Sequence, residues 1–311
     1  PLYHDMGLIG AWLGSLYFSM LFVAMSPLSF LARPERWLWA IHHYHGTLSA
    51  SPNFGYEYCI RRLSDEDLAG LDLSSWRAAF NGAEPVSPET VSNFCQRFKT
   101  GGFSSKAMMP VYGLAESTVG LAFPPLERGP VIDRIERNTF MQTGTANTAP
   151  AEDEHALKFV SSGPPLAGHQ IRIVDHAGHE LPERQEGRLE FHGPSSTAGY
   201  YRDAEKTQTL IDGDWLDTGD LAYIANGELY VTGRIKDIII RAGRNIYPHE
   251  LEEAVGNIPG IRAGRVAVFG SEDKNIKTER LIVLGETRSK YNKELEKLHK
   301  EINTLAIDLI G

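Results

Sequence analysis

The sequence contains only two cysteines, and its basic residues are fewer than its acidic residues. Its two cysteines, Cys59 and Cys95, form no CxxC pair and no disulfide framework, which is typical of free thiols in a reducing compartment. Lysine and arginine total 31 against 40 acidic residues, giving a net charge of −9, and no basic block interrupts this balance. A nucleic-acid partner is therefore not expected, because phosphate binding needs clustered positive charge. We expect a cytoplasmic protein.

Charge is absent from the whole stretch 6–32, which is long enough to span a bilayer. Three glycines and several serines dilute its apolar character, and Pro27 interrupts it before its end. No basic segment precedes it, as one would in a secretory signal. We therefore expect no membrane insertion, and predict a buried helix over residues 9–18 and a short buried strand over residues 21–25.

Apolar runs alternate with helical patterns through the first two thirds of the chain, as in an α/β fold. We predict helices over residues 37–44 and 53–62, and strands over residues 47–50 and 76–81. Beyond Gly187 the pattern changes to strands and tight turns. Asn226-Gly227, between two apolar stretches, predicts a β-hairpin.

A second, smaller unit is predicted after Arg234. Pro248 stands where a helix would begin, and glutamates fill the turn after it, where the helix dipole favours carboxylates. Strands over residues 265–269 and 281–285 and a Lys/Glu-rich helix from Tyr291 follow. We predict a large α/β domain over residues 1–236 and the start of a small, mobile α+β domain over residues 237–311.

Five short motifs follow one another along the chain. They are, in order, PLYHDMGL at 1–8, NGAEP at 81–85, YGLAE at 112–116, WLDTGDL at 215–221, and GRIKD at 233–237 with GRN at 243–245. The ordered set resembles the superfamily of acyl-CoA synthetases, peptide-synthetase adenylation domains and luciferases, over essentially the whole chain. NGAEP, YGLAE, PNFGYE at 52–57 and GRNIYP at 243–248 are most similar to fatty acyl-AMP ligases.

The resemblance implies an acyl-adenylate-forming fold, with part of a large α/β N-terminal domain and part of a small α+β C-terminal domain. It also implies a nucleotide site just past two strand ends, where ligands of open α/β sheets collect. Its residues would be Asn81, Gly82, Ala83, Glu84, Tyr112, Gly113 and Leu114. Small residues there admit the adenine edge, and the Tyr112 ring can stack on adenine. An ordinary turn is the alternative for either tripeptide taken alone.

The resemblance further implies charged ligands of ATP. Glu116 would be a catalytic residue and the Mg²⁺ ligand, a hard carboxylate for a cation that bridges phosphates. Asp220 would accept both ribose hydroxyls, and Arg234 would reach the ribose or the phosphate. The alternatives are a helix N-terminal carboxylate for Glu116 and a surface ion pair for Asp220 with Arg234.

The motif PLYHDMGL at 1–8 is expected to lie beside the acyl group of the bound fatty acid. The resemblance implies that His4 lies beside the acyl-phosphate junction as a catalytic residue, and that His4, Met6 and Gly7 line the acyl pocket. A structural histidine is the alternative. Asp237 is predicted to be the hinge between the two domains.

The chain also departs from the wider superfamily. Ala115 stands where many relatives have a threonine that donates to the α-phosphate, although acyl-AMP ligases commonly have alanine there. Neither the glycine-rich phosphate loop nor the distal catalytic lysine occurs in the sequence. The 311-residue chain alone is therefore expected to bind nucleotide poorly and to catalyse almost nothing.

The segment near 125–157 is a polar insertion, rich in Thr, Asn and Glu, between YGLAE and the later SGPP motif. A long loop without structure is usually functional or disordered. Fatty acyl-AMP ligases carry an insertion here that is implicated in preventing the use of coenzyme A. A passive surface insertion is the alternative.

The resulting hypothesis is a ligase that uses ATP and Mg²⁺ to convert a fatty acid to an acyl-adenylate. The acyl group would then pass to the phosphopantetheine thiol of an acyl carrier protein, typically in polyketide or lipopeptide biosynthesis. Two alternatives stand beside it. One is a long-chain acyl-CoA synthetase, and the other is a catalytically silent acyl-adenylate-like interaction module.

Overall fold

The computed structural model describes residues 1–241, 243–273 and 278–310. Residue contacts divide the chain into two units. The first unit comprises Pro1–Asp133, Lys158–Thr218 and Ala222–Val231, and the second comprises Arg134–Leu157, Gly219–Leu221 and the described part of 232–311. Much of the insertion and residues 232–236 therefore belong by contact to the second unit. The domain division at residue 237 stays a prediction.

A three-stranded parallel sheet opens the first unit. Its strands are β1 (Leu48–Ser51), β2 (Ala78–Asn81) and β3 (Met108–Pro110), in the order β1-β2-β3. Its helices are α1 (Gly14–Tyr17), α2 (Pro27–Ala32), α3 (Glu35–Tyr44), α4 (Asn53–Arg62) and α5 (Pro88–Phe98). The predicted helices over 37–44 and 53–62 and strands over 47–50 and 76–81 are confirmed, with ends that differ by up to two residues.

Sequence signals explain these elements locally. The Ser87 side chain accepts a hydrogen bond from the Thr90 N–H and Pro88 fills the first turn of α5, so that helix begins where capping favours it. Phe94 and Phe98 of α5 pack in an aromatic core with Trp76, and all three side chains are at most 2% exposed. Burial of these large rings stabilises the packing of α5 in the first unit.

A second sheet is built mainly from residues of the first unit. Its strands are β6 (Gln170–Val174), β7 (Gly187–His192), β8 (Ile211–Asp212), β9 (Trp215–Ala225) and β10 (Glu228–Arg234), with helix α7 (Ala204–Leu210) before β8. The strand order is β10-β9-β7-β6, and β8 pairs with β9. Asn226 and Gly227 have φ of 54° and 73°, the left-handed geometry of a hairpin turn, so the predicted hairpin is confirmed.

The insertion has its own secondary structure. It contains β4 (Ile132–Ile135) and α6 (Arg137–Thr143), and β5 (Leu157–Val160) begins at its end. Ile135 and Phe140 are fully buried and Met141 is nearly so. The expectation of a long loop without structure was wrong, because a few apolar residues within a polar segment are enough to anchor a short helix.

The second unit also contains two antiparallel strand pairs and two further helices. The strands are β11 (Ile239–Arg241), β12 (Arg244–Ile246), β13 (Ile261–Asp273) and β14 (Thr278–Thr287), and the helices are α8 (Pro248–Gly256) and α9 (Asn292–Ile310). The predicted start of α8 at Pro248, both predicted strands and the C-terminal helix are confirmed. Leu251, Val255, Val268 and Leu298 are buried in this unit.

The uncharged stretch 6–32 differs from its prediction. A π-helix over Met6–Leu13 continues into α1, so the helical prediction holds, but Leu16 and Phe18 are 62% and 69% exposed and the predicted burial was wrong. Residues 21–25 form no strand, so that prediction was wrong. Among the described residues, no helix has both the length and the apolar character needed to cross a membrane.

Candidate functional site

Two predicted site loops leave neighbouring strands at the same edge of the parallel sheet. Asn81 ends β2 and pairs in register with Pro110, which ends β3, and the Val111 N–H donates to the Asn81 carbonyl at 2.8 Å. A Cβ on Gly82 would lie 2.7 Å from the Val111 carbonyl oxygen, so glycine permits this approach. The two loops therefore begin side by side beyond the carboxyl ends of the strands, where such sheets bind ligands.

The loop after β3 folds back on itself. Tyr112 and Ala122 form an antiparallel bridge, and a Cβ on Gly113 would lie 2.0 Å from the Val119 carbonyl oxygen. Tyr112 is half-buried and packs with Leu114 against a cluster that contains Leu121. The predicted residues Tyr112, Gly113 and Leu114 are thus held in one rigid loop.

Asn81 and Glu84 tie the loop after β2 to helix α4. The Asn81 side-chain amide donates to Asn53 Oδ1 at 3.3 Å, and Glu84 Oε1 accepts from the Phe54 N–H at 2.5 Å. Burial raises the pKa of the Glu84 carboxyl, and the Phe54 hydrogen bond opposes that shift. Both side chains fix the shape of the loop. Their predicted contact with nucleotide stays a prediction.

Each of these two loops contains one non-glycine residue with a strained backbone. Ala83 has a φ of 69° and Thr118 a φ of 70°, in the left-handed region that residues with a Cβ rarely adopt. Residues held in this way cluster at ligand sites, because the surrounding structure must enforce a conformation that costs roughly 1–3 kcal/mol. Six other non-glycine residues of the described chain also have positive φ, so strain alone does not single out these loops.

The Glu116 carboxylate is held by a residue that the sequence did not identify. The Tyr200 hydroxyl donates to Glu116 Oε1 at 2.6 Å, and the Thr197 N–H donates to the Glu116 carbonyl at 2.8 Å. The hydrogen bond to Glu116 raises the pKa of Tyr200 to about 12. Glu116 Oε2 has no hydrogen-bond partner within the part of the chain that is described. The sequence around Tyr200 contains no pattern that predicts a contact with Glu116, which lies 84 positions earlier in the chain.

Glu116 fits the role of a Mg²⁺ ligand. Mg²⁺ prefers oxygen ligands, retains several waters, and is usually bound through one or two carboxylates together with substrate phosphates. The Glu116 carboxylate is half-buried, one of its oxygens accepts a hydrogen bond from Tyr200, and the other has no hydrogen-bond partner among the described residues. This arrangement meets that requirement. Within the described residues, no group of three or more His, Cys, Asp or Glu could hold a metal ion by itself.

The opening helix lies next to the loop that carries Glu116. The position of a Cβ on Gly10 is 4.0 Å from Val119 Cγ2, and a Cβ on Gly7 would lie 2.2 Å from the Pro1 carbonyl oxygen. His4 is exposed, and its Nδ1 lies 2.6 Å from Asp5 Oδ1. The structure thus brings the helix that contains Met6 and Gly7, and that begins two residues after His4, to the loop. The catalytic role of His4 and the acyl pocket stay predictions.

Asp220 and Arg234 come together in the second unit. Arg234 Nε lies 3.8 Å from Asp220 Oδ1, and the Asp220 side chain is 16% exposed whereas that of Arg234 is 60% exposed. Gly219 has a φ of 74°, and its carbonyl accepts from the Ile235 N–H at 3.0 Å, which fixes the two strands beside each other. An ion pair of this length is loose, so the arginine can rearrange around a ligand.

Asp237 lies in an exposed turn of the second unit, just before β11. Its N–H donates to the Arg234 carbonyl at 3.0 Å. The contacts change from the first to the second unit between residues 231 and 232, a short distance before Asp237. The hinge assignment stays a prediction.

The chain is similar to known adenylating enzymes. Residues 1–201 match the family model of AMP-binding enzymes. The medium-chain-fatty-acid–[acyl-carrier-protein] ligase JamA of Moorena producens is 38% identical over 307 residues, covering 95% of this chain and 52% of that protein. The chain spans about half the length of the curated relatives it matches.

Two solved structures give the same result. One comes from studies of fatty acyl-adenylate ligases from E. coli and L. pneumophila, and it matches with a TM-score of 0.94 and 37% identity over 100% of this chain and 55% of its own. A fatty acyl-adenylate ligase from L. pneumophila, solved with acyl adenylate and pyrophosphate, matches with a TM-score of 0.74 and 35% identity over 99% of this chain and 56% of its own.

Proposed function

The chain belongs to the AMP-binding enzyme family, and from that premise we propose that the protein activates a fatty acid as its acyl-adenylate and passes the acyl group to an acyl carrier protein. The observation that carries the proposal is the convergence of the loops after β2 and β3, with the Glu116 carboxylate held by Tyr200. The similarity to fatty acyl-adenylate ligases supports the choice of a fatty acid as substrate.

In the proposed reaction a fatty carboxylate attacks the α-phosphorus of ATP. The bond to the pyrophosphate leaving group breaks and a carboxylic–phosphoric anhydride forms. The protein contributes positioning and charge stabilisation. A bound Mg²⁺ would neutralise phosphate charge. Residues 82–84 and Tyr112 would hold adenine, Asp220 and Arg234 the ribose or phosphate, and His4, Met6 and Gly7 the acyl group. In the second reaction the phosphopantetheine thiol replaces AMP at the acyl carbon.

The first half-reaction tests this proposal directly. The assay needs the chain within a protein that also carries the phosphate loop and the distal lysine of the family, here called the extended protein. Laurate should start exchange of radiolabelled pyrophosphate into ATP in the extended protein, and benzoate or phenylalanine should not. Exchange with an aromatic acid or an amino acid in preference to laurate would contradict the fatty-acid assignment.

Asp220→Ala should reduce adenylation at least about tenfold, because it removes hydrogen bonds from the ribose hydroxyls to a charged acceptor, each worth about 1.5–3 kcal/mol. The measurement is kcat/KM for ATP in the extended protein. Asp214→Ala, at an exposed turn residue, is the matched control and should behave as wild type. If calorimetry gives wild-type ATP affinity for Asp220→Ala, the aspartate lies outside the site.

We propose that the insertion restricts the protein to carrier-protein thiols by binding to helix α8. The Arg137 guanidinium makes two hydrogen bonds to the Glu250 carboxylate, one of them 2.8 Å long, and its Nε donates to the His155 carbonyl at 2.7 Å. The Phe140 ring stacks on Tyr247 at a centroid distance of 5.6 Å. These contacts attach α6 firmly to the start of α8.

Arg137→Met should therefore increase acyl-CoA formation several-fold relative to acyl-AMP formation in the extended protein. The side chain keeps its apolar stem but loses its bonds to Glu250, so α6 is left joined to the start of α8 by the stacking of Phe140 on Tyr247. Deleting the insertion is a poorer test, because Ile135 and Phe140 are fully buried and their loss would disturb the core. Lys293→Met, at an exposed residue of α9, is the control. An unchanged CoA rate with Arg137→Met would make the insertion a passive feature.

A further inference from the structure

One segment of the first unit, residues 195–200, contacts every residue of the turn 116–118. The Thr197 N–H donates to the Glu116 carbonyl at 2.8 Å, the Ser195 hydroxyl donates to the Ser117 carbonyl at 2.9 Å, and the Thr118 hydroxyl donates to the Ser195 carbonyl at 3.0 Å. These bonds fix the backbone of a turn that ends in a residue of positive φ, Thr118. The segment thus stabilises a strained turn that the turn's own residues do not favour.

The same segment also fixes the Glu116 side chain. The distance of 2.6 Å from the Tyr200 hydroxyl to Glu116 Oε1 is in the range of charge-assisted O–H···O⁻ hydrogen bonds. A carboxylate anchored through one oxygen has little freedom at its last torsion angle. Oε2 is then held in a defined direction. A ligand of a cation must be ordered in this way if the cation is to meet the phosphates at a fixed place.

Tyr200 is itself held in place from the other side. Its N–H donates to the Thr207 hydroxyl of α7 at 2.9 Å, and that hydroxyl donates to the Asp203 carbonyl at 2.8 Å. A Cβ on Gly199 would lie 2.4 Å from Thr207 Cγ2, so glycine allows the segment to approach the helix. His169 Nε2 lies 2.7 Å from the Ser195 hydroxyl at the other end of the segment. Both ends of the segment are therefore anchored to the first unit.

We propose that Tyr200 is a positioning residue for the cation that accompanies the nucleotide, acting through Glu116. Its hydroxyl orients the carboxylate and leaves Oε2 for the cation, and segment 195–200 keeps the turn 116–118 in the shape this requires. The proposal rests on the proposed function, because it takes ATP with a divalent cation as the ligand of the site.

The decisive variant is Tyr200→Phe, which removes one hydroxyl from a residue that is 40% exposed and leaves the ring in place. Tyr201→Phe is the matched control, because Tyr201 is 85% exposed and its ring lies against Arg202, outside this network. The readout is the affinity of the extended protein for Mn²⁺, a paramagnetic substitute for Mg²⁺, in the presence of a non-hydrolysable ATP analogue, measured by electron paramagnetic resonance.

We expect Tyr200→Phe to bind Mn²⁺ about tenfold more weakly, the effect of losing one hydrogen bond to a charged group. Tyr201→Phe should bind as wild type, and both variants should melt within a few degrees of it. In a Glu116→Gln background, Tyr200→Phe should cause no further loss, because the two residues act as one unit. Unchanged or tighter Mn²⁺ binding in Tyr200→Phe, or equal losses in both backgrounds, would overturn the proposal.

The two proposals can fail separately. A wild-type extended protein that binds Mn²⁺ with the nucleotide analogue, loses that binding on Tyr200→Phe and does not adenylate laurate would retain the role of Tyr200 and lose the fatty-acid assignment. A protein that adenylates laurate, but whose cation affinity is unchanged by Tyr200→Phe, would retain the fatty-acid assignment and lose the role of Tyr200. Absence of any Mn²⁺ binding with the analogue would overturn the role of Tyr200.

Discussion

Glu116→Gln should lower the rate of fatty acyl-AMP formation by about 100-fold or more in the extended protein. The substitution keeps the shape of the side chain and an acceptor for the Tyr200 hydroxyl, but it removes the negative charge. A neutral amide is a poor ligand for a hard divalent cation, so the phosphates would lose much of their charge neutralisation. The measurement is kcat/KM for laurate-dependent pyrophosphate exchange at saturating Mg²⁺.

The controls for Glu116→Gln separate catalysis from folding. Glu205→Gln, on the exposed first turn of α7, removes the same charge at a surface position and should keep wild-type activity. The melting temperature of Glu116→Gln should stay close to wild type, because Glu116 makes only one side-chain hydrogen bond within the described residues. A loss smaller than about threefold would contradict the role of Glu116 as the cation ligand.

Asp237→Pro should suppress transfer of the acyl group to a thiol by at least about tenfold while largely preserving acyl-AMP formation. The resemblance to the superfamily implies that the small domain turns between the two half-reactions. A hinge needs an element-terminal residue whose φ and ψ can change widely. Asp237 ends a turn, and the residues after it, Ile238 to Ile240, are β-branched and stiff.

Proline would lock this position in two ways. It fixes φ near −65°, and it removes the N–H that donates to the Arg234 carbonyl at 3.0 Å. Asp237→Ala keeps that N–H and most of the backbone freedom, so it is the matched control and should retain both half-reactions. Pre-formed acyl-AMP and holo-carrier protein isolate the second step, and pyrophosphate exchange isolates the first. Equal losses in both steps with Asp237→Pro would contradict the hinge assignment.

Elements specified by local sequence were predicted well. The helix over 53–62 and the turn at Asn226-Gly227 depend on periodicity and on two residues that tolerate positive φ, and both signals are local. The expectation that the NGAEP and YGLAE motifs follow strand ends is confirmed, and the structure adds that these strands are neighbours, with Asn81 paired to Pro110. The two motifs therefore lie side by side in the fold, and their contact with nucleotide stays a prediction.

Features that depend on distant contacts were missed. The hydrogen bond from Tyr200 to Glu116 joins two loops, and the sequence of neither loop predicts this contact. Phe140 is buried because Tyr247 packs against it, so a polar segment that looked like a loop holds a helix. The hydrogen bond that the Glu84 carboxylate accepts at the start of α4 was likewise not anticipated, and its predicted contact with nucleotide stays a prediction. Pairings of this kind arise from tertiary structure.

The central claim is that the protein activates fatty acids for carrier-protein thiols. The most direct test incubates the extended protein with ATP, Mg²⁺ and radiolabelled laurate, and supplies coenzyme A to one half and holo-acyl carrier protein to the other. The account predicts lauroyl-AMP in both samples, rapid acylation of the carrier protein and little lauroyl-CoA. Formation of lauroyl-CoA as fast as lauroyl-AMP would contradict the account and identify an acyl-CoA synthetase, and absence of lauroyl-AMP from both samples would identify a catalytically silent module.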